Sequence, residues 1–169
     1  MDFLTDPFLV SPDSLDGPVL VTGAGGCIGA WMVSVLVRSG VHCLASDLHD
    51  NRTRPALILG QEASAALNWV TCDVTDGAAI DALVERYGIQ TIIHLAGLQV
   101  PFCAASPALG ARVNVEGTIN ILEAARRAEI TRTAYASSVA ALALPVGGPY
   151  KATLYGAYTL ANEQTARVY

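Results

Sequence analysis

Thr22, Gly23, Gly26 and Gly29 stand at the spacing T-G-x-x-G-x-x-G within VTGAGGCIG, residues 21–29. The apolar run PVLVTG (18–23) before them reads as a buried strand, and CIGAWMVSVLVRSG (27–40) after them reads as a helix stopped by Gly40. A glycine-rich turn between a strand and a helix can cradle a dinucleotide pyrophosphate. Gly23 permits the tight turn, Gly26 allows backbone to approach the phosphates, and Gly29 lets the helix pack closely on the sheet. The unpaired N–H groups of a helix N-terminus complete such an anion site. Asp47 closes the next strand, eighteen residues beyond Gly29, where a carboxylate accepts from the ribose hydroxyls of an adenosine. That carboxylate repels a 2′-phosphate and so favours NAD over NADP, while Arg52 and Arg54 lie close enough in sequence to soften the preference.

The second chemical signal is LYGAYT, residues 154–159. A tyrosine can exchange a proton with a substrate hydroxyl, but a free phenol has a pKa near 10 and needs positive charge nearby to act as a base at neutral pH. Tyr155 has Thr159 four residues later, where one helix face would present a cation. Lys151, the only lysine of the chain, lies four residues before Tyr155 and could reach it from the other side; an exposed loop lysine after Pro149 is the preferred reading.

These groups need a scaffold, and the pattern supplies one. VHCLASD (41–47), NWVTCDV (68–74), TIIHLAG (91–97) and TRTAYASS (131–138) read as further strands. AAIDALVERYG (78–88) and GARVNVEGTINILEAARRA (110–128) read as amphipathic helices, the latter through Val115, Ile119 and Leu122. The stretch between Asp47 and Asn68, with Pro55 and Gly60, reads as loop with one helical turn, and another helix is expected from about Leu154. Strand–helix–strand repetition implies right-handed crossovers and a doubly wound α/β fold with a parallel sheet. Residues 1–16 are expected to be an N-terminal extension and 17–169 one domain.

Composition narrows the partners. The chain is 52% hydrophobic and 15% charged, with a formal net charge of -5, which suits a large buried sheet and gives no electrostatic reason to expect nucleic acid or an anionic membrane. No apolar run is long enough for a bilayer, and the N-terminus lacks the pattern of a signal peptide. Cys27, Cys43, Cys72 and Cys103 are scattered, so buried free thiols in a reducing cytoplasm are expected rather than disulfides. His42, His49 and His94 show no metal-ligand spacing, and no metal site is expected.

Taken in order, TGAGGCIG, CDVTD (72–76), HLAG (94–97), NVEGTINILEAA (114–125), YASS (135–138) and YGAY (155–158) resemble the extended short-chain dehydrogenase/reductases, the NAD-dependent epimerase/dehydratase family. The resemblance runs from about Pro18 to the last residue and implies a Rossmann-type domain that binds NAD. It implies a phosphate-binding stretch of Gly23, Gly25, Gly26, Cys27, Ile28 and Gly29, with Asp47 on the ribose and Asp73 and Val74 bordering the adenine. Leu95, Ala96, Gly97 and Leu98 would line the cofactor, Asn114 would brace the sheet or the nicotinamide side, and His94 is read as a packed strand residue. The family's catalytic group is a Ser/Thr, a Tyr and a Lys. Tyr155 fits the tyrosine, Ser138 is chosen over Ser137 and Val139 for the serine, and Thr159 holds the lysine's place. The implied activity is NAD-dependent oxidoreduction or epimerisation of a hydroxylated small molecule such as a nucleotide sugar. The alternative is an NAD-binding sensor or partner subunit with impaired chemistry. The resemblance also implies homodimers formed through 110–128 and the segment from 155, and a substrate-binding portion after this helix that the 169 residues do not contain.

Overall fold

The computed structural model describes residues 8–15 and 17–137, which places Ser138, Lys151, Tyr155 and Thr159 outside the described residues. Five parallel strands form one sheet: β1 (Val19–Thr22), β2 (Cys43–Asp47), β3 (Trp69–Thr71), β4 (Thr91–His94) and β5 (Arg132–Tyr135), in the order β3-β2-β1-β4-β5. β1 is central, pairing Val19 with both Cys43 and Thr91, and Thr22 with both Ser46 and His94. The chain reverses its direction of travel across the sheet between β3 and β4, so the carboxyl ends of β1 and β4 flank a switch point, where open α/β sheets bind ligands.

Alternation along β1 builds two cores. Val19 and Val21 face α1 (Cys27–Arg38) and pack with Val33, Leu36 and Ala45. Leu20 faces the other way, with Leu44 and Ile92, onto α4 (Gly77–Tyr87) and α7 (Gly117–Arg127) through Ile80, Leu83, Val84 and Ile121. The expected doubly wound α/β architecture is the one observed. Asp76 caps α4 by accepting from Ala79 N at 3.0 Å, and Gly88 ends it in the left-handed region at φ 57°.

Two expectations require correction, and a stretch for which no element was expected also folds. The polar stretch after β2 contains two short helices, α2 (Thr53–Leu59) and α3 (Gln61–Ala65), broken at Gly60, whose φ of 87° favours glycine. They are stabilised through Arg52, whose Nη1 donates to the carbonyls of Ser64, Ala65 and Leu67 while its guanidinium lies over Trp69. The stretch after β4 also folds, as α5 (Val100–Ala105) and α6 (Pro107–Ala111), each with proline in its first turn. Finally, the helix expected over 110–128 is interrupted by a π turn at Arg112–Glu116, which widens the backbone at Asn114.

Candidate cofactor site

A cleft of about 450 Å³ opens at the carboxyl ends of β1, β2 and β4. Gly23, Gly25 and Gly26 form one wall, Asp47 and Arg54 a second, Asp73 and Val74 a third, and Leu95, Ala96, Gly97 and Leu98 the last. The spacing of the glycines has a steric cause. A Cβ at Gly23 (φ 71°) would meet Ala96 N at 2.6 Å, and one at Gly29 would meet Gly23 O at 2.0 Å. Gly26 is the N-cap of α1 and makes no side-chain cap bond, so no side chain competes for the first amides of that helix.

Asp47 reaches back onto the loop. Its Oδ2 accepts from Gly25 N at 2.9 Å and its Oδ1 from Leu48 N at 2.8 Å, which leaves each oxygen a further lone pair. Arg54 Nη1 donates to Gly25 O at 2.8 Å, so the two peptide groups flanking Gly25 are held by opposite charges. Arg52 is not beside the cleft; Asp50 and the three carbonyls of the α3 region engage it, which removes it from any contest over a 2′-phosphate. Arg54's part was missed in the sequence because its partner is a backbone carbonyl 29 residues away, which leaves no local pattern.

The remaining expected residues divide. Asp73 Oδ1 accepts from Thr75 N at 2.9 Å, shaping a turn at the cleft wall. Asn114 is buried behind the cleft, where Oδ1 accepts from Leu98 N at 2.7 Å and Nδ2 donates to Leu98 O at 2.9 Å. It braces the strip after β4 from behind. Gly29 likewise acts behind the loop, through close helix packing. The Ile28 side chain is 64% exposed and lies with Phe8 and Trp31 around a separate apolar hollow, so a part for Ile28 at the phosphates would fall to its backbone N–H in the first turn of α1. Cys27 is exposed at the start of α1 and Cys72 lines the cleft, so only Cys43 and Cys103 are the buried thiols that were expected. Burial pushes the Cys43 thiol up to about 12, which makes it an inert core residue. Among the described residues, no group of three or more His, Cys, Asp or Glu is placed to hold a metal ion, and no helix is long and apolar enough to cross a membrane.

His94 is 3% exposed, and burial lowers its pKa from 6.5 to about 4. Between those values the unfolded chain takes up a proton that the folded ring refuses, so stability is fully present above 6.5 and is lost as pH falls towards 4. The loss amounts to about 3 kcal/mol. Chemical denaturation across this window should show wild type losing more stability than His94→Asn. A difference between the two that stays constant with pH would contradict the assignment.

These features define a dinucleotide-binding α/β protein. Residues 19–167 match the NAD dependent epimerase/dehydratase family, and the chain belongs to that family. The glycine cradle and the carboxylate at the end of β2 fit the adenosine diphosphate part of NAD, the cofactor of the family. A UDP-glucose 4-epimerase from Mycolicibacterium smegmatis is 33% identical over 121 residues, covering 70% of this chain and 38% of that enzyme. The solved UDP-glucose 4-epimerase from Bifidobacterium longum, in complex with NAD+ and UDP, superposes with a TM-score of 0.74 at 25% identity, covering 89% of this chain and 48% of that one. An L-threonine dehydrogenase from Clostridium difficile has the same fold, with a TM-score of 0.74 at 24% identity over 90% of this chain and 49% of that one. The chain thus spans less than half the length of these relatives.

Proposed function

We propose that this chain forms the NAD-binding part of an oxidoreductase or epimerase acting on a hydroxylated substrate such as a nucleotide sugar. The observation that carries the reading is the Asp47 carboxylate, fixed on the Gly25 amide beside the glycine cradle. The loop amides and the α1 N-terminus would hold the pyrophosphate, Asp47 the adenosine ribose, and Asp73 with Val74 the adenine. NAD, when bound, supplies hydride acceptance and return. Leu95, Ala96 and Gly97 line the cleft and would help to exclude water from that region once NAD is bound. Tyr155 would hold the proton exchanged with the substrate hydroxyl, and Ser138 would steady the substrate oxygen. Thr159 in the position of the lysine favours a second reading, an NAD-binding protein of weak chemistry that serves as a sensor or partner subunit.

Isothermal titration with NAD and NADP tests the binding, and NADH formation with nucleotide sugars separates the two readings. NAD is expected to bind more tightly than NADP. Asp47→Ala is expected to weaken NAD about tenfold, the effect of losing a charge-assisted hydrogen bond, and to narrow the gap to NADP. Equal affinity for both dinucleotides in the wild type would remove the role given to Asp47. NAD binding with no turnover on any nucleotide sugar would favour the second reading.

A further inference from the structure

Behind the cleft lies a chain of buried hydrogen bonds whose direction can be read from its two ends. Thr118 Oγ1 lies 2.9 Å from the carbonyl oxygen of Asn114. A carbonyl only accepts, so the single hydroxyl proton of Thr118 is spent there. Towards His94 Nε2, 3.2 Å away, the same hydroxyl can then only accept, and Nε2 must carry the ring proton. Nδ1 of the neutral ring is therefore bare, and it accepts from Thr22 Oγ1 at 2.7 Å. The Thr22 oxygen, its proton committed to the ring, accepts from Leu95 N at 3.2 Å and Ala96 N at 3.3 Å. Thr22, His94 and Thr118 are all at most 3% exposed, so water does not compete for these bonds.

The two ends of this chain converge on one strip of backbone. Thr22 holds the amides of Leu95 and Ala96, while Asn114, whose carbonyl receives the last proton, holds both polar groups of Leu98 through its side chain. We propose that His94 is a positioning residue of the cofactor site, whose fixed Nε2–H tautomer couples the end of β1 to the start of α7 and thereby sets the shape of the Leu95–Leu98 wall. Its link to NAD rests on the proposed function, because that wall lines the cleft assigned to the cofactor. The shape of the wall itself does not depend on that reading.

Nitrogen-15 NMR of the histidine-labelled full chain reads the tautomer directly, with the His94 signal assigned by its loss in His94→Asn. The expected result is a proton on Nε2 alone. Thr118→Val removes the acceptor and should release the preference, giving a mixture of tautomers. His94→Leu removes both ring contacts and should lower the hydrogen-exchange protection of Ala96 and Leu98 about tenfold and NAD affinity by a similar factor. His94→Asn keeps an acceptor close to the position of Nδ1, and should recover most of the loss at Ala96. A proton found on Nδ1, or protection of Ala96 and Leu98 unchanged in His94→Leu, would overturn the proposal. Should His94→Leu fail to fold, the wild-type tautomer and the Thr118→Val spectrum decide it alone. Wild type that shows the Nε2–H tautomer but no affinity for NAD would overturn the cofactor reading while supporting the role of His94 in the wall.

Discussion

Gly29→Ala is expected to lower NAD affinity about a hundredfold and to destabilise the domain at the same time. The added methyl would sit 2.0 Å from Gly23 O, 2.7 Å from Gly23 C and 2.9 Å from Ala24 Cα. All three atoms are backbone, so no side chain can rotate away. Relief requires α1 to withdraw from the end of β1, or the Gly23 turn to open. Both movements displace the amides that face the phosphates. Overpacking of this kind costs about 1–3 kcal/mol, and the upper end corresponds to roughly a hundredfold in a dissociation constant.

Gly60→Ala separates the two effects. Gly60 has φ 87° and nothing within 4 Å of its would-be Cβ, so its cost is backbone strain at a site outside the cleft. Thermal unfolding should register both substitutions, whereas calorimetric titration with NAD should register only Gly29→Ala. Unchanged NAD affinity in Gly29→Ala would mean that the helix and the turn do not form a single phosphate-binding unit.

The phosphate loop was legible in the sequence because its requirements are local. A strand, a turn with fixed glycine offsets and a helix start all lie within 21–29, and each glycine answers a contact made within the loop or one strand away. Asp47 was legible for a related reason: parallel pairing places Thr22 level with Ser46, so the residue after Ser46 emerges beside the loop. The short helices α2 and α3 were not legible. Their order depends on Arg52 gathering three carbonyls 12 to 15 residues away, and neither helix is long enough to stand alone. The π turn was hidden for a different reason. Residues 110–128 keep a convincing 3.6-residue pattern, and a local change to i→i+5 bonding shifts the face without spoiling that pattern. His94 shows the same limit. Its placement as a packed strand residue followed from the β4 pattern, but its partners Thr22 and Thr118 lie 72 and 24 residues away. Only the assembled sheet shows that a threonine of the glycine motif is oriented by a histidine.

In a form of the protein that carries a substrate-binding portion, Thr159→Lys is expected to raise turnover by roughly ten- to a thousandfold, the range given by the 1–3 units through which a neighbouring charge typically moves a pKa. On the helix expected from about Leu154, residues 155 and 159 share a face, so an ammonium there would stabilise the Tyr155 phenolate. The gain corresponds to about 1.4–4 kcal/mol of driving force for proton removal. The sign is fixed: a positive neighbour lowers the phenol pKa, so the rising limb of the pH–rate profile should move to lower pH in the variant. NAD affinity should rise as well, because the family resemblance implies that a lysine in this place also holds the cofactor ribose. The measurements are NADH formation with nucleotide sugars across pH and calorimetric NAD binding for both forms. Lys151→Ala supplies the opposing test. If Thr159→Lys changes neither quantity and Lys151→Ala abolishes activity, the cation that serves Tyr155 comes from four residues before it, and Thr159 does not stand in the place of a catalytic lysine.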